Sequence, residues 1–461
     1  MELKIVYRVL RKISDWSLGG FYSDVYIEGQ ENVTSDGPLI IASTHHNEII
    51  DIVTLAATIP HRRYLSFWAK SSMFANPLAR SIMLSSGAIP VKRNPNIGDG
   101  SVSGSGVSSQ TSLFRESSMA LAHGGVIGVF PEGTSYTLPT IMQVMSGTAW
   151  AAIDFVKWAR DKNGLSKLTI VPVGIVYTDK ARYQSRVGAL AIYGEPIVVE
   201  SYMPEMFGGG ADVQAVTKAI VKQLTAEMER QMWTMTINAP DWDTLYAAQM
   251  ARDIIYEDPA NVPLRDWLSV SQNLVDLFTT SSSSATLDAA KTALTTYYSL
   301  LHYTGISHSS LTFLLPIKSK PLFIRLLRTV RHVLFAFFSF VFFLPPMLLH
   351  IPAYIAAKFA AKAFAKEGEV ETEAQFKVIF GGVGLGVGLG VGLGAALGCL
   401  RKYGGLELVW KLLGKTAQEG VLGRLKRIVI VLGAAYSSVY LLVRWHNALV
   451  YGMLVFPANN R

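Results

Sequence analysis

The sequence predicts an α/β catalytic layer, a mixed sheet flanked by helices, followed by a helical appendage and a C-terminal membrane region of α-helices. Three observations carry this. Short apolar runs alternate with helical patterns over the first two hundred residues. Residues 212–320 read as successive helices separated by polar breaks. Beyond Pro321 the chain turns almost wholly apolar. We therefore divide it into residues 1–211, 212–320 and 321–461.

Composition agrees with a membrane protein. Half of the 461 residues are hydrophobic, only 16% are charged and the mean hydropathy is +0.29, unusual for a wholly soluble chain. The net charge of +8 favours anionic partners such as membrane surfaces and phosphates. No aromatic-basic interleaving or recognisable module supports nucleic-acid binding. Cys399 is the single cysteine, so intramolecular disulfides and cysteine-based zinc sites are excluded.

The N-terminal MELKIVYRVLRKISDW lacks the pattern of a secretory signal. Ile5, Val9, Leu10 and Ile13 form one apolar face among Lys4, Arg8, Arg11 and Lys12, which suits an interfacial helix; an ordinary packing helix is the alternative. Predicted strands follow at Leu39–Ser43, Tyr64–Trp68, Val126–Phe130, Leu168–Val173 and Ala189–Tyr193, the last ending in a turn at Gly194. Asn94–Gln110 is Gly- and Ser-rich and reads as a loop beside the active site. Helices are predicted at Val213–Met235, Trp242–Tyr256, Val262–Phe278 and Thr286–Tyr303.

Three membrane segments follow, at 332–357, 376–400 and 428–456. The first is interrupted by Pro345 and Pro346, which allows a kinked span or a re-entrant hairpin, with the hairpin favoured. Arg325, Arg328 and Arg331 precede it at headgroup level. In the second, Gly382, Gly386, Gly390 and Gly394 form one smooth face and Gly384, Gly388 and Gly392 the opposite one, suited to close packing within the chain or in a homodimer. Its even glycine spacing does not give a nucleotide-binding loop.

The chemistry concentrates in STHHNEIID, residues 43–51, directly after a predicted strand. A histidine acts as general base when a carboxylate fixes its tautomer and stabilises the imidazolium. The four residues between His46 and Asp51 let a tight turn into a helix join that pair, whereas His45 has the wrong spacing. A polar-capped helix N-terminus is the bland reading, and a metal site of His45, His46, Glu48 and Asp51 lacks further ligands at diagnostic spacing. Downstream come GAIPVKR (Gly87–Arg93), FPEGTS (Phe130–Ser135) and IVPVGIVY (Ile170–Tyr177). Lys92 and Arg93 suit a phosphate. The PEGTS turn offers a carboxylate, a glycine and two hydroxyls for a polyol phosphate.

In this order the four motifs closely resemble those of the glycerolipid acyltransferases, the family with an H-x4-D motif. The stretches YTDKARYQSRVGALAIYGEPI and PDWDTLYAAQMARDIIY resemble the fungal-type glycerol-3-phosphate/dihydroxyacetone phosphate acyltransferases, and the likeness extends to about residue 365. It implies His46 as base, Asp51 as its orienting partner and Arg93 as a phosphate ligand, to which the residue reading adds Lys92. It further implies Glu132 with Gly133 as part of the acceptor-binding site, where the hydroxyls of Thr134 and Ser135 belong to the same turn, and Pro172 as part of the acyl-chain and packing motif. The sequence departs from the pattern at His45 and at Met145, where relatives carry Asn or Pro and lysine.

The implied activity is transfer from acyl-CoA to the sn-1 hydroxyl of glycerol 3-phosphate, giving lysophosphatidic acid, or to dihydroxyacetone phosphate, with no metal or cofactor. No G-x-S-x-G elbow is present to support an acyl-enzyme. The implied location is the endoplasmic reticulum membrane, with the catalytic domain on the cytoplasmic side. An sn-2 lysophosphatidic acid acyltransferase and an inactive membrane scaffold are the alternatives.

Overall fold

The computed structural model describes residues 5–91, 107–162, 167–180, 188–203, 213–257, 259–280, 285–312, 321–365, 369–405 and 421–455. It divides into two compact units, residues 1–180 with 187–308, and residues 309–461 with 181–186.

The first unit holds a mixed sheet. Its strands are β1 (Asp24–Glu28), β2 (Leu39–Ser43), β3 (Leu65–Lys70), β4 (Ile89–Val91), β5 (Val126–Val129), β6 (Thr169–Tyr177), β7 (Gly188–Tyr193) and β8 (Ile197–Val198), in spatial order β1-β7-β6-β2-β5-β3-β4 with β8 beside β6. Strands β2, β5 and β6 are buried throughout, which is why they read as unbroken apolar runs. Strand β2 pairs in parallel with both β5 and β6, so their carboxyl ends lie side by side. Strands β1, β4 and β8 were not predicted from the sequence. The first is half-exposed with charged ends, and the other two are three and two residues long, too short for a pattern.

Helices α1 (Ile5–Phe21), α2 (Ile49–Thr58), α3 (Pro77–Ser85), α4 (Val107–Ala122), α5 (Gly147–Asp161) and α6 (Val213–Thr234) flank the sheet. Ile40, Ala42, Ile127, Val129 and Ile170 meet Ile153 and Phe155 of α5 and Met228 and Met232 of α6 in one core. The alternate residues Leu39 and Ile41 face the other side and are equally buried. Helix α1 anchors to the unit through Arg11, which donates to the carbonyls of Arg62 (2.7 Å) and Arg63 (3.0 Å). Its Ile5, Val9, Ile13 and Trp16 stay exposed at helical spacing, the geometry of an interfacial face. Helix α4 takes in Val107–Gln110, the end of the stretch read as a loop; residues 94–106 lie outside the described residues.

Helices α7 (Trp242–Ile255), α8 (Leu264–Thr279) and α9 (Ala285–Thr304) belong to the same unit and share a core of Ala247, Ala248, Val275 and Phe278. Asp241 caps α7 by accepting from Thr244 N–H at 2.7 Å. Trp267 of α8 packs on Val176 and Leu190 of the sheet.

The second unit contains three helices long and apolar enough to cross a membrane, Leu322–Phe364, Glu371–Lys402 and Ile428–Val450. The first runs unbroken through Pro345, Pro346 and Pro352. This corrects the hairpin favoured from the sequence: a proline removes one N–H donor and need not reverse the chain, because apolar surroundings favour keeping the remaining helical bonds.

The two glycine faces of the second helix have different fates. A Cβ at Gly384 or Gly388 would lie 2.4 Å from the Pro352 carbonyl oxygen or 2.0 Å from that of Leu349, so this face seats the first helix. Gly382, Gly386, Gly390 and Gly394 face open space. Gly388→Ala is therefore expected to destabilise the protein by about 1–3 kcal/mol through overpacking. Gly386→Ala should be neutral or slightly stabilising, because alanine favours helix. Thermal unfolding of the detergent-solubilised variants checks the contrast.

Candidate active site

Strand β2 ends at Ser43, and the next five residues form the turn into α2. Thr44 clips that turn to β6: its N–H donates to Val173 O (3.0 Å) and its hydroxyl accepts from Ile175 N–H (2.9 Å). Glu48 carries the turn at φ 44°, a left-handed value uncommon for a non-glycine residue and a form of strain that gathers at functional sites. Helix α2 begins at Ile49, which puts Asp51 in its first turn, where the helix dipole favours a negative charge.

Asp51 is fully buried and its carboxylate is held by three donors. Its Oδ2 accepts from Asn47 N–H at 2.7 Å and from His45 Nδ1–H at 3.0 Å, while Oδ1 accepts from Tyr177 O–H at 2.6 Å. The histidine in contact with Asp51 is thus His45, not His46 as the spacing suggested. The spacing argument treated the segment as a tight turn whose nearest histidine would reach the carboxylate. In the structure the carboxylate bends back over Asn47, and the ring two residues before Asn47 lies against it.

With Nδ1–H given to Asp51, the unprotonated nitrogen of neutral His45 is Nε2. The ring stacks on Phe130 at 4.0 Å, and its side chain retains 16% exposure. It is fixed in plane yet reachable. His46 sits edge-on to Tyr136 at 5.3 Å. Burial first, then the positive field of Lys180, drives its ring down to about 3, with Asp51 opposing and His45 adding to the drop. A ring so weakly basic is a poor proton acceptor near neutral pH.

Glu132, expected to bind the acceptor, is committed elsewhere. Its Oε1 accepts from the backbone N–H of His45 (2.7 Å), and Oε2 accepts from Met142 N–H (3.0 Å) and from the Tyr136 hydroxyl. It ties the FPEGTS turn to the histidine turn. Burial raises its carboxyl to about 7, against the lowering effect of the His45 and Met142 N–H groups. Gly133 closes the turn at φ 77°, its N–H donating to Phe130 O at 3.0 Å. Thr134 beside it is exposed and Ser135 half-buried.

Pro172 is buried in β6, between the residues paired with β8 and those paired with β7. There its carbonyl accepts from Gly194 N–H at 2.8 Å. A proline is tolerated inside the sheet because the neighbouring strand changes at that point. Lys92 and Arg93 lie outside the described residues. Among the described residues, no group of three or more His, Cys, Asp or Glu side chains is arranged to hold a metal ion.

Sequence reasoning missed a second layer. Tyr177 closes the IVPVGIVY motif and receives the Thr54 hydroxyl at 3.2 Å. Tyr22 stacks on it at 5.3 Å and accepts from Asn47 Nδ2 at 3.1 Å. Only the position of Tyr177 at the end of a quoted motif hinted at this; Tyr22 carried no pattern, and Lys180 appeared only inside the stretch that follows the fourth motif.

Residues 24–176 match the family model described as Acyltransferase. Glycerol-3-phosphate O-acyltransferase 2 of Saccharomyces cerevisiae is 31% identical over a stretch covering 33% of this chain and 19% of that protein. Glycerol-3-phosphate O-acyltransferase 1 of the same yeast is 25% identical over 31% of this chain and 18% of its own length. The chain thus spans about a fifth of the length of these relatives. A 1-acyl-sn-glycerophosphate acyltransferase structure from Thermotoga maritima aligns with 49% of this chain and 78% of its own at 16% identity and a TM-score of 0.32. The chain carries an acyltransferase domain over this stretch, and the four motifs lie within it except for Tyr177, the last residue of the fourth.

Two outcomes are expected here. Tyr177→Phe removes one donor from a buried carboxylate and should cost about 1–3 kcal/mol in chemical denaturation. Glu132 binds a proton more tightly folded than unfolded, so its contribution to stability is full below the unfolded value of 4.5 and is lost as pH rises through about 7. Glu132→Gln should flatten that part of the stability profile, measured by thermal unfolding at a series of pH values.

Proposed function

We propose that the protein is an acyl-CoA-dependent glycerol-3-phosphate sn-1 O-acyltransferase in which His45, oriented by Asp51, is the general base. The observation that carries this is the 3.0 Å contact between His45 Nδ1 and the buried Asp51 carboxylate, at the carboxyl end of β2 inside the acyltransferase domain. The yeast relatives, named for glycerol 3-phosphate, support the choice of acceptor. Dihydroxyacetone phosphate is the second acceptor of the same class.

In this reading Nε2 of His45 takes the proton of the sn-1 hydroxyl as that oxygen attacks the thioester carbonyl of acyl-CoA. Asp51 stabilises the imidazolium. The tetrahedral adduct collapses with cleavage of the carbon–sulfur bond, and the departing sulfur takes the proton from Nε2. Oxygen gains the acyl group, the base is regenerated, and CoA and lysophosphatidic acid leave.

The acceptor phosphate calls for cations. Lys180, whose field reaches both His46 and Glu132, joins Lys92 and Arg93 as a proposed ligand, and Gly133, Thr134 and Ser135 supply the rim of the acceptor site. Pro172 contributes to the packing that supports it. The three apolar helices and the exposed apolar face of α1 support work at a bilayer, where long-chain acyl donors partition. We assign the protein to the endoplasmic reticulum membrane, with the catalytic unit on the cytoplasmic side where acyl-CoA is available.

The test offers acyl-CoA with glycerol 3-phosphate, dihydroxyacetone phosphate or lysophosphatidic acid to the purified protein in liposomes. Formation of lysophosphatidic acid is expected. Turnover with lysophosphatidic acid alone would move the assignment to sn-2, and no turnover with any acceptor, in folded protein, would overturn it.

A further inference from the structure

Inside the membrane unit, two buried histidines lie face to face. His350 of the helix Leu322–Phe364 and His446 of the helix Val421–Val455 are 2% and 0% exposed. Their rings are stacked at 3.7 Å with an interplanar angle of 8°. Polar side chains buried at membrane depth are costly and mark functional sites more often than packing. Neither histidine belongs to the residues assigned to acyl transfer.

The hydrogen bonds fix both tautomers. His350 Nδ1 lies 2.7 Å from Pro346 O, which can only accept, so Nδ1 carries the proton. His446 Nδ1 faces Asn447 Oδ1 at 3.0 Å and Nε2 faces the Tyr354 hydroxyl at 2.9 Å. The consistent assignment has His446 donating through Nδ1 and accepting from Tyr354. One polar atom is left over: Nε2 of His350 is buried with no hydrogen-bond partner among the described residues. It is an acceptor in need of a donor, and an orphaned buried acceptor costs free energy until it finds one.

The level of the cluster in the bilayer narrows the donor. His350 lies 19 residues beyond Arg331, roughly 28 Å of helix axis and so close to the hydrocarbon thickness, and His446 follows Arg444 by two residues. Tyr354 and Trp445, both partly exposed, are of the amphipathic aromatic types that gather at the membrane–water boundary. A group at that level meets the glycerol backbone of lipids, beneath the phosphates. Two parallel rings 3.7 Å apart also disfavour a cationic donor, which would face the electropositive Nδ1–H groups in apolar surroundings.

We propose that His350 Nε2 accepts the free hydroxyl of a glycerolipid, so that the His350, His446 and Tyr354 cluster is a binding site for lipids with an unacylated glycerol carbon. The shared chemistry is the hydroxyl. An anionic lysophospholipid and a neutral diacylglycerol both present it.

The test uses the full chain in phosphatidylcholine vesicles carrying a photoactivatable diazirine analogue of lysophosphatidic acid or of diacylglycerol, each compared with its form methylated at the free hydroxyl. Labelled residues are mapped by mass spectrometry. The free-hydroxyl form of at least one lipid should label the turns around His350 about tenfold more than its methylated form. His350→Phe, which keeps a stacking ring but no acceptor, should erase the difference while retaining helical circular dichroism. Labelling by both lipids assigns recognition to the hydroxyl alone, and labelling by one adds a contribution from its headgroup; both support the site. Equal labelling by free and methylated forms, or none near His350, would overturn it, as would retention of the difference in a folded His350→Phe; the comparison of lipids on the unaltered protein stands even if that variant fails to fold.

Discussion

The catalytic unit is organised around one buried negative charge. Asp51 is shut off from solvent, and an unsatisfied carboxylate in that position would cost several kcal/mol. Three donors from two places in the chain meet it: the Asn47 backbone and the His45 ring from the turn after β2, and the Tyr177 hydroxyl from β6. Together they join the end of β2, the start of α2 and the end of β6. The strained Glu48 peptide, the Thr44 clip onto β6 and the stacked Tyr22 hold those three places in register. The bonds that fix the His45 imidazole therefore also close the fold at that end of the sheet.

Glu132 shows the same economy with a different outcome. Its side chain spans the FPEGTS turn and the histidine turn, so the two motifs keep their spacing because one carboxyl bridges them. Deep burial makes that carboxyl unusually ready to hold a proton. It acts as a strut behind His45.

Much of this was legible in the sequence. Buried strands announce themselves as apolar runs, so β2, β5 and β7 were read where they occur, while β6 was read four residues short of its end at Tyr177. Charged ends and short length hid β1, β4 and β8. Spacing alone paired Asp51 with His46, whereas the ring in contact with it is His45, because a side chain's reach depends on where the backbone bends, and Glu48 bends it where no sequence rule would look. Tyr177 escaped assignment since a tyrosine ending an apolar strand reads as packing until its hydroxyl is seen on Asp51. The glycine repeat showed two smooth faces, but only coordinates reveal that Gly384, Gly388 and Gly392 are the face against Leu349 and Pro352. Paired prolines, read as a reversal, are absorbed by a helix.

The central claim is that Asp51 serves His45. The most direct measurement compares acyl transfer by His45→Gln and His46→Gln in the same liposomes, with folding checked by circular dichroism. The account predicts a loss of about a hundredfold or more in kcat for His45→Gln, the scale of a general base, and less than about tenfold for His46→Gln. A His45→Gln protein that turns over normally while His46→Gln is inactive would contradict it.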